Sequence, residues 1–219
     1  EGIERIRLGS LEPTIITEEF AKRLSKLEKI CNHFHLSLQS GSNETLKRMN
    51  RHYTTGEYRS ICRKLRESFK DCTLTTDVMV GFAGETENDF RESLNFVKEI
   101  GFEKVHVFPY SIRKGTRAER FDGHLDASVK DERCRIMIEE TEKIRRAYME
   151  SQLGRTYSVI FETSDSEGYL TGHTANFIPV KVKAPDSLRG EMRDVLLTET
   201  GDDFCIGTIN AKCRMQNAK

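Results

Sequence analysis

The chain has 219 residues, of which 37% are hydrophobic and 32% charged, and 35 basic residues balance 35 acidic ones. This composition supports a folded core under a charged surface, and the zero net charge gives no argument of its own for a nucleic-acid partner. No run of 18 or more apolar residues is present and the first residues lack a signal-peptide pattern, so neither a membrane span nor a secretory leader is expected.

In chain order, the first half alternates apolar strands with amphipathic helices. Strands are predicted at 5–9, 34–38, 74–80 and 104–109, and helices at 17–30, 44–50, 57–69 and 86–100. Expected helix caps are Thr17, Asn43, Thr55 and Thr86, with Gly101 ending the fourth helix. This alternation indicates parallel βα units. Four units are too few to close a barrel, so further strands are expected before residue 1.

The second half changes character and predicts a small β-barrel behind one long helix. Residues 128–153 form a charged helical pattern, expected to be a solvated connector. Short β runs follow at 157–162, 168–173, 177–183, 194–199 and 204–209. Five such runs in about sixty residues suggest a closed barrel of the OB type.

The cysteines and the residues that follow the predicted strands are the two sets of candidate site residues. Six cysteines, at 31, 62, 72, 134, 205 and 213, form no close cluster, which predicts reduced thiols and a cytoplasmic protein. Small and polar residues follow all four predicted strands, and in parallel α/β folds that edge holds the ligand. Turn chemistry explains any one of these clusters, but four in succession favour a binding site. His35 is expected to be a hydrogen-bonded sheet histidine, whereas for Asp77 a functional and a structural role stay equally open.

Several motifs together resemble the radical-SAM methylthiotransferases. They lie at 5–13, 35–42, 49–54, 76–86 and 108–116, and residues 168–182 are similar to the TRAM domain that closes those enzymes. The resemblance implies an α/β fold: the C-terminal strands of a partial (βα) TIM-like barrel, followed by a small antiparallel, OB-like β-barrel. The corresponding domains are 1–125 for the partial barrel, 126–152 for the connecting helix, 153–212 for the RNA-binding barrel and 213–219 for the tail.

The resemblance also implies a reaction. The segment Gly9-Ser10-Leu11-Glu12-Pro13 is similar to the branch that adds a methylthio group at C2 of threonylcarbamoyladenosine, position 37 of tRNA. Sister branches act on isopentenyladenosine in tRNA or on a ribosomal protein. The implied cofactors are S-adenosyl-L-methionine (SAM) and [4Fe–4S] clusters. The cluster-binding Cys-x-x-x-Cys-x-x-Cys loop does not occur in this sequence, so this chain alone is expected to be inactive, with no catalytic residue or metal ligand assigned in it.

Candidate site residues fall into two groups. The resemblance assigns SAM binding to strand-end residues: Glu12, Gln39, Ser40, Asp77, Gly84, Glu85, Phe108, Tyr110 and Arg113. Contact with tRNA is expected from one barrel face that combines rings, amides and cations: Tyr169, His173, Asn176, Lys181 and Lys183.

Three alternatives remain. Tyr169 and Phe177 could instead be barrel core. The chain could be a non-catalytic RNA-binding fragment. It could also be an ordinary α/β enzyme that uses Glu12, Asp77 and Glu85 on a phosphorylated small molecule.

Overall fold

A four-stranded parallel sheet forms the centre of the first half of the chain. In the computed structural model, which describes residues 2–210, its strands are β1 (Ser10–Leu11), β2 (His33–Leu36), β3 (Thr73–Val80) and β4 (Lys104–Pro109), in that spatial order. All three pairings are parallel. Parallel neighbours need crossover connections, and the intervening helices supply them, so the predicted βα units are confirmed.

The first predicted strand is the least accurate part of this sheet. Residues 5–9 make only an isolated bridge, in which Ile6 pairs with Ile30, and β1 begins at Ser10. The helix predicted at 17–30 is shortened for the same reason. Because Ile30 belongs to the sheet edge, the helix ends at Leu24 and the chain turns back before reaching it.

Three of the four helices described in the first half of the chain begin at a threonine side-chain cap. The four are α1 (Glu18–Leu24), α2 (Asn43–Arg48), α3 (Thr55–Ser68) and α4 (Glu87–Ile100), and the three with a threonine cap are α1, α3 and α4. Thr17 and Thr86 cap as expected, and Gly101 ends α4 in the left-handed conformation. The other two predicted caps are wrong by one residue. Ser42 holds the N-cap position of α2, and Thr54 caps α3 because Glu57 completes a capping box with it.

One face of the sheet packs against the helices and makes the core. Alternate residues of β2 and β3 point into it, including Phe34, Leu36, Val78 and Val80, which are all fully buried. The intervening positions point to the other face, where polar side chains predominate and exposure increases towards the carboxyl ends of the strands. The fold therefore leaves a polar face beside the predicted ligand edge.

The long helix α5 (Ala127–Ser151) carries more than a solvated face. Arg133 and Arg145 are buried, and they pair with the buried carboxylates of Glu85 and Glu103. The predicted solvated face is present on one side of α5, where Glu132, Arg135 and Glu139 are exposed, while the other side adds buried ion pairs that were not predicted. The chain divides into two units after Arg145, within this helix, and the domain boundaries drawn from the sequence stay predictions.

The second unit contains a closed five-stranded barrel. Its strands are β5 (Thr156–Ser164), β6 (Tyr169–Thr174), β7 (Pro179–Lys183), β8 (Met192–Thr200) and β9 (Cys205–Ile209), in the order β5-β6-β7-β9-β8. The expected all-antiparallel barrel needs one correction, because β7 and β9 run parallel. A closed ring with an odd number of strands cannot alternate direction throughout, so at least one pair must be parallel.

Close packing in this barrel depends on a glycine. A Cβ at Gly172 would lie 1.9 Å from the carbonyl oxygen of Ile160 on the neighbouring strand, so no other residue fits there. The predicted tail 213–219, and with it Cys213, lies outside the described residues. Among residues 2–210, no helix combines the length and the apolar character that a bilayer crossing requires.

Candidate functional site

The carboxyl edge of the parallel sheet brings several predicted residues together. Backbone hydrogen bonds link Gln39 to β3: its N–H donates to the Asp77 carbonyl, and its own carbonyl accepts from Met79 N–H, both at 2.9 Å. Gln39 has a φ of 67°, a conformation that non-glycine residues seldom adopt. Its side chain and that of Asp77 are both half-buried. The backbone therefore holds Gln39 next to Asp77 at the predicted edge.

Asp77 also belongs to a cluster with two histidines. His35 Nε2 lies 3.1 Å from Asp77 Oδ2, and His35 Nδ1 lies 3.0 Å from Thr75 Oγ1. Both ring nitrogens are hydrogen-bonded, as expected for a sheet histidine. His106 is the register partner of Asp77, and ligand atoms of these three side chains lie within 4.8 Å of one another. Two imidazoles and a carboxylate are also a set that can hold a divalent cation.

His106 was missed by the sequence analysis. It shares a face of β4 with Lys104 and Phe108, as strand alternation requires. The signal that would have found it is this alternation combined with the register of β4 against β3, which pairs His106 with Asp77. Burial lowers the pKa of His106, Lys104 acts in the same direction, and Asp77 opposes both. The ring is therefore a neutral donor and acceptor at pH 7.

Three other residues predicted to bind SAM, namely Ser40, Gly84 and Glu85, make hydrogen bonds to other groups of the protein. The buried Glu85 carboxylate accepts from Gly81 N–H at 2.9 Å and from Arg133 Nη1 at 2.6 Å. Burial raises the pKa of Glu85 in spite of these bonds. Buried Ser40 Oγ accepts from a backbone N–H two residues on, and Gly84, with φ 77°, donates to the Gly123 carbonyl at 2.8 Å. Their contribution to SAM binding stays a prediction.

The same geometry weakens one alternative. A phosphate-processing enzyme would need Glu12, Asp77 and Glu85 to converge on one ligand. Glu12 is exposed, Asp77 is half-buried beside His35, and Glu85 is committed to a buried ion pair. The three carboxylates therefore do not form one catalytic set.

Tyr110 and Arg113 follow β4 at this edge. The Tyr110 ring packs against Phe82, with centroids 4.9 Å apart, and lies parallel to His124 at 6.0 Å. Its hydroxyl is buried and meets no hydrogen-bond partner in the described part of the chain. A buried hydroxyl without a partner is costly. Tyr110 is thus a place where a bound polar group would be stabilising, while Arg113 is exposed and available to an anion.

These residues fit SAM chemically but do not fit an iron–sulfur cluster. Asp77 and Gln39 offer groups for hydroxyl and ammonium contacts, Phe108 and Tyr110 offer rings for adenine, and Arg113 suits a carboxylate. A [4Fe–4S] cluster with one open iron needs three thiolates. Among residues 2–210 no three cysteines come together, and burial raises the pKa of both Cys62 and Cys72 to about 12.

One side of the barrel carries a surface of rings and cations, here called the Tyr169 surface and made of Tyr169, Lys181, Lys183 and Phe204. Lys181 Nζ lies 4.6 Å from the centroid of Tyr169 and 5.6 Å from that of Phe204, and Lys183 Nζ lies 5.8 Å from Tyr169. Lys181 also pairs with Asp165 at 2.8 Å. Tyr169 is half-buried and outside the barrel core, which removes the core alternative for it. The sequence analysis missed Phe204.

Two further barrel residues, His173 and Asn176, were predicted to contact tRNA. The position of His173 is compatible with that prediction, and the position of Asn176 is not. His173 stacks on Phe177 at 4.3 Å and 9°, both rings are half-buried outside the core, and His173 Nδ1 lies 2.7 Å from Glu162. Asn176 is buried, and its amide is bonded to Thr174 and to Tyr148. An RNA-facing role for the Asn176 side chain is therefore not compatible with its position, and it holds the turn instead.

Comparisons with known proteins agree with this fold. Residues 3–97 match the family model of the Radical SAM superfamily. The fold is similar to coproporphyrinogen III oxidase (HemN) from Escherichia coli, a radical SAM enzyme, with a TM-score of 0.55 and 14% identity over 78% of this chain and 44% of that one.

Sequence similarity to individual proteins defines the family more narrowly than the fold does. The chain is 37% identical to threonylcarbamoyladenosine tRNA methylthiotransferase MtaB of Bacillus subtilis, over 92% of this chain and 46% of that protein. It is 35% identical to the tRNA-2-methylthio-N(6)-dimethylallyladenosine synthase of Caldicellulosiruptor saccharolyticus, over 95% of this chain and 45% of that protein. The chain spans about half the length of the curated relatives it matches. Motifs, fold and relatives agree: the chain belongs to the methylthiotransferase family of the radical SAM superfamily.

Proposed function

We propose that this chain is part of a tRNA methylthiotransferase that adds a methylthio group to C2 of N6-threonylcarbamoyladenosine at position 37. One observation carries the choice of substrate: the polar sheet face next to the ligand edge is lined by nitrogen donors. Lys104, His106 and His35 lie on that face, with Asp77 as the neighbouring carboxylate. Sequence identity supports the family but does not decide the branch, because relatives of both tRNA branches match about equally well.

Chemical complementarity favours the threonylcarbamoyl substrate. Its substituent carries a carboxylate, a hydroxyl and a urea-like group, whereas the isopentenyl substituent is a hydrocarbon. A polar face gains hydrogen bonds from the first and would be desolvated without compensation by the second. Half-buried Lys104 supplies the positive charge and the neutral ring of His106 supplies a donor. Lys104 and His106 are therefore the residues proposed to contact the threonylcarbamoyl substituent.

In this proposal the strand-end residues hold SAM. Asp77 and Gln39 bind its polar groups, Phe108 and Tyr110 contact adenine, and Arg113 meets its carboxylate. SAM, when bound, supplies the radical-forming fragment and the methyl group, while this chain binds, orients and excludes water. Loss of SAM affinity in Asp77→Asn, measured in the complete enzyme, is the expected result. Unchanged affinity would remove Asp77 from the site.

The Tyr169 surface is the proposed RNA contact of the barrel. Rings and cations on an OB-like face bind bases by stacking and phosphates by charge. Replacing Lys181 and Lys183 by Glu should weaken binding of an anticodon stem-loop at least about tenfold at fixed salt. Lys26→Glu with Lys70→Glu is the charge-matched control, because both lysines are exposed and lie in the other unit. Equal affinity of the test and control variants would refute the assignment.

The activity is tested in cells. The gene that encodes this chain is deleted, and nucleosides from digested tRNA are quantified by mass spectrometry. Loss of 2-methylthio-N6-threonylcarbamoyladenosine, with its unmethylthiolated precursor accumulating, supports the proposal. Loss of the isopentenyl product would move the chain to the sister branch. Unchanged tRNA, with RNA binding retained by the chain, would leave the non-catalytic RNA-binding alternative.

A further inference from the structure

We propose that a basic cavity in the first unit binds a backbone phosphate of tRNA beside the target nucleotide. The inference rests on the proposed function, since it supplies the RNA. The cavity has a volume of about 470 Å³ and is distinct from the barrel surface. Its charged lining consists of four cations and one carboxylate: Lys47, Arg48, Arg117, Arg120 and Asp122.

Two segments distant in sequence bring these cations together. Lys47 and Arg48 lie in the last turn of α2, and Arg117 and Arg120 are the ends of a short 3-10 turn after β4. The hydrogen bond from Gly84 N–H to the Gly123 carbonyl ties the second segment to the loop after β3. The fold therefore brings together a cluster of cations from two separate segments and fixes the position of one of them by a backbone hydrogen bond.

Three of the four cations of the cavity are not paired within the described part of the protein. Among the described residues, Lys47, Arg117 and Arg120 form no ion pair, and all three are exposed. Basic residues on the helices are commonly paired instead: Arg59 with Glu99, Arg91 with Glu87, and Arg135 with Glu132. Three unpaired positive charges around one cavity repel one another. An anion bound among them would remove this electrostatic cost.

Arg48 gives an independent indication of a ligand. Its Nη2 is bonded to Asp89 at 2.9 Å, which fixes the guanidinium, yet its Nε is buried and meets no partner in the described residues. A buried charged N–H without an acceptor is more costly than a neutral one. The Arg48 side chain is 33% exposed and lines the cavity, so an anion there would lie against the same charged group. Guanidinium groups suit phosphate in particular, because their fork matches two phosphate oxygens.

The shape and place of the cavity favour a nucleotide phosphate in RNA. A cavity of about 470 Å³ has room for a phosphate together with part of its ribose, and Phe121 and Asn50 line it with a ring and an amide. Ala83, in the loop after β3, is shared between the cavity wall and the predicted SAM edge. A base held at the sheet edge would therefore have its own backbone close to these cations.

The test measures RNA binding by the whole 219-residue chain. The double variant Arg117→Ala, Arg120→Ala is compared with the control Lys26→Ala, Lys70→Ala, in which two exposed lysines elsewhere in the same unit are removed. The probe is an anticodon stem-loop hairpin, titrated from about 50 to 300 mM KCl. We expect the slope of log Kd against log salt to fall by about 1.5 to 2 in the test variant alone. Equal slopes in all three proteins would overturn the inference.

A second arm locates the phosphate. Neutral methylphosphonate linkages are placed on either side of position 37 in the hairpin. Wild-type binding should weaken at least about fivefold at one linkage, and the test variant should lose little more, since its cations are already gone. Additive losses would overturn the inference. So would adenosine monophosphate binding to the wild-type chain as tightly as the hairpin, which indicates a small-molecule site.

The cavity and the proposed function can fail separately. Normal methylthiolation in cells together with unchanged salt slopes would reject only the cavity. If the cavity variant binds RNA as wild type does, a wrong assignment of the modified base cannot be the cause, because phosphate contacts are independent of the base. Far-UV circular dichroism of the variants checks that the fold is retained.

Discussion

Asp89, in the first turn of α4, is bonded to both ends of α2 and to the cap of its own helix, and its replacement by Asn tests how these segments are held. Its buried carboxylate accepts hydrogen bonds from Ser42 Oγ at 2.7 Å, Arg48 Nη2 at 2.9 Å, Thr86 N–H at 2.9 Å and Thr86 Oγ1 at 2.7 Å. Burial alone would raise the pKa of Asp89, but these bonds outweigh it and lower the pKa from 3.8 to about 2. The carboxylate therefore stabilises the folded state.

The size of the effect follows from the two pKa values. A difference between 3.8 and about 2 corresponds to about 2.4 kcal/mol, at about 1.36 kcal/mol per pKa unit. Because the folded value is the lower one, this stabilisation is present above the unfolded pKa and is lost as the pH falls through about 2. At pH 3 roughly half of it should remain. Asp89→Asn keeps the side-chain size but removes the charge that all four donors favour.

The assay is urea unfolding of wild type and Asp89→Asn at pH 7 and near pH 3, followed by circular dichroism at 222 nm. The variant should be less stable by about 2 to 3 kcal/mol at pH 7, and the difference should roughly halve near pH 3. Taking the difference between the two proteins cancels the other carboxylates that titrate in this range. A stability difference that does not change with pH would refute the electrostatic account.

Two further predictions concern the same edge. A Cβ at Gly41 would lie 2.8 Å from Ser93 Cα, so Gly41→Ala should lower the free energy of unfolding by about 2 kcal/mol, whereas Gly9→Ala, with open space around it, should change it by less than about 0.5 kcal/mol. Equal effects in urea unfolding would show that this close approach is not limiting. In an NMR titration, His106 should have a pKa below its ordinary value, and Asp77→Asn should lower it further because Asp77 favours the charged ring. A pKa of His106 that rises in Asp77→Asn would contradict the described arrangement.

Local sequence predicted the sheet well but could not choose between adjacent caps. The strand at 104–109 and the helix stop at Gly101 depend on nearby residues, and both agree with the structure. The caps at Asn43 and Thr55 were each one residue too late, because Ser42 and Thr54 precede them and Ser, Asn and Thr all cap helices. At α3 the capping box of Thr54 and Glu57 decides the position, whereas the Asn43 side chain instead accepts a hydrogen bond from Thr55 N–H at 2.8 Å.

Long-range pairs were the part of the site that the sequence could not predict. Glu85 looks like an open ligand residue in its motif, but its partner Arg133 lies 48 positions later on a helix whose charges suggest solvent. The same limit applies to Asn176, which is a plausible surface amide in the sequence and is buried in the barrel. In both cases a polar residue is satisfied by a group that only the folded chain brings near it.

Recognition of tRNA by this chain should separate into two physically different contributions. The proposed phosphate contacts of Arg117, Arg120 and Lys183 would give affinity that declines with salt and carries no information about the base. In the proposed function, discrimination between threonylcarbamoyl and isopentenyl groups comes from half-buried Lys104 and exposed His106, through short-range hydrogen bonds that depend on salt much less than phosphate contacts do. Selectivity between the two modified hairpins should therefore change little across the salt range in which affinity for both falls steeply. Selectivity that declined in parallel with affinity would mean that charge alone reads the substituent.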